Sequence, residues 1–175
     1  MHPAEVEQAL ESMVCLVDTR EQDTPRLRAR LKDIGLPIER IALNAGDYGA
    51  MVLLPATGEW YELPIAIERK MDLDELCMCF CQQRGRFKRE FERAKKAQKR
   101  LYLLIEGATW EKVYAGQYRS HMRSKSLVAS ILSWAARYDC EIIFCTSRIT
   151  GGLIRDILWY EAREILSQMG DGESG

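Results

Sequence analysis

The chain has 175 residues, 47% hydrophobic and 29% charged, the composition of an ordinary globular protein with a core of its own. No apolar run approaches the roughly 20 residues of a membrane-spanning helix. Met1-His2-Pro3-Ala4-Glu5 lacks the basic and apolar regions of a signal peptide, which predicts a cytoplasmic protein, nucleoid-associated if bacterial. The net charge of −1 hides an asymmetry: residues 84–100 hold nine Lys or Arg against Glu90 and Glu92, a segment of +7 beside a remainder of −8.

In chain order, residues 4–13 suggest a short helix with Val6, Ala9, Leu10 and Met13 on one side. Val14-Cys15-Leu16-Val17 reads as a buried strand ending in Asp18-Thr19-Arg20-Glu21. Thr24-Pro25 supplies an N-cap and a first-turn proline for a helix that Gly35 stops. Ile38–Leu43 is a second strand. The run from Ala50 to Leu54, the connector Pro55–Glu59 and the strand Ile65–Lys70 read as a hairpin. Asp72 caps a helix reaching about residue 82, and a basic helix follows over 85–99. Leu101–Ile105 is a strand ending at Glu106-Gly107, Trp110–Tyr114 a short helix, and Gly116–Lys125 a polar, basic loop. An amphipathic helix over 125–138, a strand over 141–145 and a long helix capped by Thr150 complete the chain. Strands and helices mixed in this order make an α/β layered fold. The boundaries expected are an N-terminal extension over 1–13, one domain over 14–169 and a disordered tail over 170–175.

Six cysteines fall at 15, 77, 79, 81, 140 and 145. Cys77-x-Cys79-x-Cys81 lacks the spacing of a zinc site, so buried reduced thiols are expected.

The chemistry concentrates at Ala66-Ile67-Glu68-Arg69-Lys70. On a strand, Glu68 and Lys70 share a face, as a simple ion pair or as half of a hydrolytic metal site. With the hairpin turn centred on Thr57-Gly58, paired residues sum to 115. Asp47 then lies opposite Glu68, with Cα atoms roughly 4.5–5.5 Å apart. Two carboxylates so close require a cation or a proton between them. They suit magnesium, and a lysine beside them suits the charge of phosphodiester hydrolysis. The basic helix, through Arg84, Arg86, Lys88, Arg89, Arg93, Lys95 and Lys96, suits DNA phosphates. His121 reads as a solvated or phosphate-contacting side chain.

Val17-Asp18-Thr19-Arg20-Glu21, Gly46-Asp47-Tyr48, Glu68-Arg69-Lys70 with Asp74, Arg86-Phe87 with Glu90, and Leu103-Leu104-Ile105-Glu106-Gly107 follow one another along the chain. In that order they resemble the nuclease-domain signatures of the XPF-type structure-specific DNA endonucleases. The resemblance covers about residues 14–145. It implies a restriction-endonuclease-like, PD-(D/E)XK fold, a central mixed sheet flanked by helices. It also implies cleavage of branched DNA such as flaps and forks, in repair or recombination, with Mg2+ or Mn2+. By motif match, Asp47 and Glu68 would be the metal carboxylates, with the Arg69 backbone carbonyl nearby and Lys70 as catalytic lysine. Asp18, Arg20, Glu21 and Asp74 would support the site or the DNA phosphates, Asp18 among the catalytic group.

Members of that family commonly carry a helix-hairpin-helix DNA-binding domain or a helicase, and this chain resembles the compact stand-alone versions of bacteria or phages. Substrate selection is then expected from the domain itself, from a homodimer through the apolar C-terminal helix, or from a partner chain. Two other functions are open at this point: a non-catalytic nuclease-like subunit that binds DNA or scaffolds a partner, and a nuclease acting on RNA.

Overall fold

The computed structural model describes residues 1–169, so the expectation of a disordered tail over 170–175 lies outside the described residues. In chain order the elements are α1 (Pro3–Glu11), β1 (Val14–Asp18), α2 (Pro25–Ile34), β2 (Ile38–Ile41), β3 (Tyr48–Leu53), β4 (Trp60–Glu62), β5 (Ile65–Lys70), α3 (Leu73–Phe80), α4 (Arg84–Lys96), β6 (Arg100–Glu106), α5 (Trp110–Tyr114), α6 (Ser124–Tyr138), β7 (Cys140–Cys145) and α7 (Thr150–Gln168). They divide into two compact units. The first comprises residues 1–43, 48–65 and the chain from Gly151, and the second residues 44–47 and 66–150. No helix of the described residues is long and apolar enough to cross a membrane.

In the first unit β1 is central. It pairs in parallel with β2, Cys15 beside Ile38, and antiparallel with β3, Leu16 beside Gly49. Four of its five residues are buried, as its unbroken apolar run requires. α2 begins where its sequence signals place it: Thr24 accepts the Leu27 N–H at 3.1 Å, Pro25 occupies the first turn, and Gly35 ends the helix in the left-handed conformation. α7 crosses α2 closely. A Cβ on Gly151 would lie 2.6 Å from the Asp33 Cβ and 2.7 Å from the Arg30 carbonyl oxygen. Gly151→Ala is therefore expected to destabilise the protein by roughly 1–3 kcal/mol through overpacking. Urea unfolding measures it, and an unchanged midpoint would contradict this crossing.

The hairpin differs from expectation. Across the turn β3 pairs with the short β4, a strand the sequence does not announce, and the register is Met51 with Glu62, Val52 with Tyr61 and Leu53 with Trp60. Paired residues thus sum to 113 rather than 115. Leu54 and Glu59 close the turn, and Gly58 takes φ +70°. The ladder continues through Leu63 N–H to the Ala50 carbonyl, and then Pro64 offers no donor to extend it. Ile65–Lys70 forms the next strand, β5, and the turn does not set Asp47 against Glu68: the Asp47 N–H meets the Ile67 carbonyl at 2.8 Å instead.

In the second unit β5, β6 and β7 are neighbours in that order, with β6 and β7 parallel, Leu103 beside Ile142. The helices cover a core rich in aromatic rings. Phe87 stacks on Trp134 at 5.1 Å, and Phe80, Phe91 and Tyr138 meet Trp134 at 5.0–5.7 Å in tilted or edge geometries. α4 presents Phe87, Phe91 and Ala94 to this core and its basic residues outward, as its spacing predicts. α3 starts at the Asp72 cap, which accepts the Glu75 N–H at 2.8 Å, and ends by Phe80, short of the predicted residue 82. Thr150 opens α7 but does not cap it. It is already the first residue of the helix, and its hydroxyl donates back to the Thr146 carbonyl at 3.0 Å.

Five cysteines are buried as small apolar side chains; Cys81, at the end of α3, is exposed, which corrects the expectation that all are buried.

Candidate active site

β5 is buried at Ile65, Ala66 and Ile67, and that apolar stem carries the charged residues to its end. Alternation then separates their side chains. Glu68 and Lys70 share one face, where Lys70 Nζ donates to Glu68 Oε1 at 2.6 Å. Arg69 points the other way and meets Glu106, at the end of β6, with 3.3 Å between Nη1 and Oε2. Glu68 and Lys70 are only 6% and 8% exposed, so two opposite charges are held almost out of water.

Burial pushes the Glu68 carboxyl above its ordinary range; Lys70 pulls it down, and Glu90 and Glu75 add to the rise. Burial disfavours the Lys70 ammonium, but the charge of Glu68, with help from Cys79 and Asp47, outweighs it and lifts the pKa well above the lysine norm. Lys70 therefore holds its proton, which suits a stabiliser of negative charge and not a general base. Its Nζ also lies 5.2 Å from the centre of the Phe87 ring, so the aromatic core supports the ammonium from beneath.

Asp47 reaches the same strand by a different route. Its N–H donates to the Ile67 carbonyl at 2.8 Å, and its Oδ2 accepts the Arg69 N–H at 2.8 Å. Gly46 makes this approach possible: it takes φ +76°, and a Cβ there would sit 3.0 Å from the Ile67 carbonyl oxygen. Asp47, Glu68, Arg69 and Lys70 are thus brought together in the second unit, although not in the expected register.

Asp74 also lies in this unit and has a definite task. Its Oδ1 accepts the N–H groups of Arg119 and Ser120 at 2.8 and 2.7 Å, and its Oδ2 accepts Arg119 Nε at 3.0 Å. The loop after α5 is thereby tied to α3. Burial alone would raise the Asp74 pKa; these bonds hold it below its ordinary value.

Asp18, Arg20 and Glu21 belong to the first unit. Asp18 is 1% exposed and accepts four hydrogen bonds: Arg20 N and Nε at 2.7 Å, Arg20 Nη2 at 2.9 Å and Leu43 N at 2.8 Å. Arg20 Nη2 also reaches the Leu43 carbonyl at 3.2 Å. The pair therefore fixes the chain four residues ahead of Asp47. Burial raises the Asp18 pKa, but these bonds prevail and leave it below its ordinary 3.8. A depressed folded-state pKa stabilises the protein above the unfolded value and loses that contribution as pH falls through the folded one. Asp18→Asn should cost about 1–3 kcal/mol at neutral pH. The deficit should shrink as pH is lowered past 3.8. Urea unfolding across pH checks this, and a deficit independent of pH would contradict it.

Glu21 meets the buried Arg30 at 3.4 Å, and Arg30 Nη1 donates to the Tyr48 hydroxyl at 2.7 Å. Arg30 escaped the sequence reading because one arginine within a helix of several gives no sign of which is buried. Glu106 was visible as the last residue of an apolar strand, but its pairing with Arg69 depends on strand neighbours that no spacing reveals.

On α4, Arg86 and Lys88 face Glu90 and Glu92 at 3.5 and 3.3 Å one turn on. Arg93 Nε donates to the Asn44 carbonyl at 2.9 Å, three residues before Asp47, and Lys95 Nζ to the Arg137 carbonyl at 2.9 Å. Arg84 lies 5.7 Å over Trp134. Arg89 and Lys96 are exposed and make no ion pair among the described residues.

Among the described residues no three His, Cys, Asp or Glu side chains cluster in the manner of a metal cage. The acidic donors at the site are the two carboxylates of Asp47 and Glu68. That set fits a hard cation such as magnesium, which retains several waters. The elevated Glu68 pKa fits it too, since a cation relieves a buried carboxylate.

The fold is mixed α/β with sheet flanked by helices, the restriction-endonuclease-like architecture of the XPF nuclease domain. It is similar to the structure of XPF from Aeropyrum pernix, with a TM-score of 0.62 and 20% identity over 90% of this chain and 69% of that one. The same protein in complex with DNA gives a TM-score of 0.57 and 20% identity, over 89% of this chain and 66% of that one. No curated protein matches the chain. The family model of the ERCC4 domain matches residues 17–152, and the chain belongs to that family.

Proposed function

We propose that this protein is a metal-dependent DNA endonuclease that hydrolyses phosphodiester bonds in branched structures such as flaps and forks, in repair or recombination. The observation that carries the proposal is the buried Glu68–Lys70 pair at 2.6 Å beside an Asp47 locked to the Arg69 N–H. An ion pair needed only for stability gains little from burial, because desolvation offsets the attraction. A site meant for phosphate chemistry gains a fixed positive charge in a low-dielectric place.

Asp47 and Glu68, with the Arg69 backbone carbonyl, would hold Mg2+ or Mn2+, which when bound polarises the phosphate and lowers the pKa of an attacking water. Lys70, protonated and anchored over Phe87, stabilises negative charge that develops on the phosphate oxygens. Asp47 is set by its two bonds to β5, and Asp18 and Arg20 hold Leu43 in the first unit. Arg89 and Lys96 are the α4 cations most available to DNA phosphates, whereas Arg93 ties that helix to the loop before Asp47.

The domain is proposed to span 14–169, with 1–13 as an extension. Dimerisation through α7, which leaves Tyr160 64% exposed, belongs to the same proposal, as does a partner chain that would add structure specificity.

The test is a cleavage panel of single-stranded, duplex, flap, fork and four-way DNA, with a matched RNA flap, in magnesium or manganese. Metal-dependent cutting of the branched DNAs is expected. DNA binding without cutting in every arm would instead favour the non-catalytic scaffolding role.

A further inference from the structure

Beside α3, in the second unit, lies an open cleft of about 360 Å3 lined by Asp74, Met78, Cys81, Gln82, Arg119 and Ser120. Its walls are mainly apolar: Met78 is 41% exposed, and the Cys81 sulfur meets Met122 at 3.8 Å. Its rim is cationic. The Arg119 side chain is 87% exposed although its Nε stays on Asp74. His121 and Arg123 follow on the same loop and Lys125 in the first turn of α6, all exposed and with no ion pair among the described residues. Asp74 offsets one of these charges through its pair with Arg119, while Arg123 and Lys125 remain exposed and without an ion pair among the described residues, so the loop side keeps a positive excess.

An apolar slot of this size with a cationic edge has the chemistry of one nucleotide. The base leaves water for the slot while its phosphate meets the cations. A paired base is stacked inside its helix and cannot enter, so such a slot takes only unpaired nucleotides. The position bears on the reaction, since α3 begins three residues after Lys70.

Resting on the DNA-endonuclease reading above, we infer that the α3–loop cleft accepts an unpaired nucleobase of the DNA strand, with Arg119 at its phosphate. The cleft gives this single domain a means of choosing branched over fully paired DNA. The Asp74 clamp is what holds the loop in place to form it.

Cys81 supplies the readout, because it is the exposed thiol while the other five are buried. The full-length protein is kept in EDTA, so that nothing is cut. It is loaded to equal occupancy, by fluorescence anisotropy, with a forked or a blunt duplex DNA of the same core. Iodoacetamide alkylation of Cys81 is then followed by mass spectrometry. The fork should slow alkylation at least about 5-fold and the duplex should leave it unchanged. Met78→Glu, at a position exposed enough to leave the fold intact, should weaken fork binding about 5–10-fold without weakening duplex binding. Unchanged alkylation with fork bound, or equal protection by the duplex, overturns the inference. Neither measurement requires cleavage, so an inactive protein with a protected Cys81 would refute the nuclease reading and leave the cleft standing.

Discussion

Glu68→Gln is expected to reduce cleavage by at least about 10²–10³-fold in magnesium, the scale of losing one pre-organised electrostatic group in an active site. Two effects act together. The charge that would draw a cation is removed, and Lys70 loses its principal counter-charge. The fold should survive, because the amide oxygen still accepts the Lys70 N–H that Glu68 Oε1 accepts at 2.6 Å, and Asp47 remains as a second anion acting on Lys70. Glu68→Ala differs in kind. It leaves the ammonium buried without a hydrogen-bond partner on its own strand, at a cost of about 3–5 kcal/mol. Fork cleavage, anisotropy and urea unfolding on the two variants separate chemistry from stability. Wild-type cleavage by Glu68→Gln would sink the assignment of this residue.

Gly46→Ala should cost roughly 2–4 kcal/mol and most of the activity, although residue 46 carries no functional group. The left-handed backbone at φ +76° is unfavourable for alanine by about 1–2 kcal/mol. The new Cβ would press on Ile67 N and O at 3.1 and 3.0 Å and on the Ala66 Cβ at 3.2 Å. These are the atoms beneath Asp47, so relief of the clash moves the carboxylate. A displacement of about 1 Å in a catalytic group is worth on the order of 10²-fold. Gly49→Ala is the internal control, because a Cβ there meets Ile65 O at an ordinary 3.6 Å. Equal behaviour of the two variants, by unfolding and by fork cleavage, would refute this account.

These two positions show where the sequence was informative. Glu68 and Lys70 share a face because strand periodicity is a property of the local backbone, and the 2.6 Å contact follows from two residues spaced two apart. The α2 and α3 caps, the stop at Gly35 and the inward face of α4 are local in the same sense. The route by which Asp47 joins the site is not. The expected hairpin register failed because the short β4 and Pro64 intervene before β5, and a turn read from sequence does not count such an interruption. Gly46 looked like any loop glycine until Ile67 was found against it.

By itself, then, the sequence determined the elements, the order of acidic and basic residues along them and the family motifs, all of which rest on short-range periodicity and residue chemistry. Only the tertiary structure decided that Asp47 binds the Arg69 N–H, that Arg69 meets Glu106, that Asp18 is wholly engaged by Arg20 and Leu43, and that Asp74 pins a distant basic loop. Each of these contacts joins residues from separate segments or depends on which groups burial leaves in reach. A buried charge takes whatever partner the folded chain places within hydrogen-bond distance, because the cost of leaving it without one is too large.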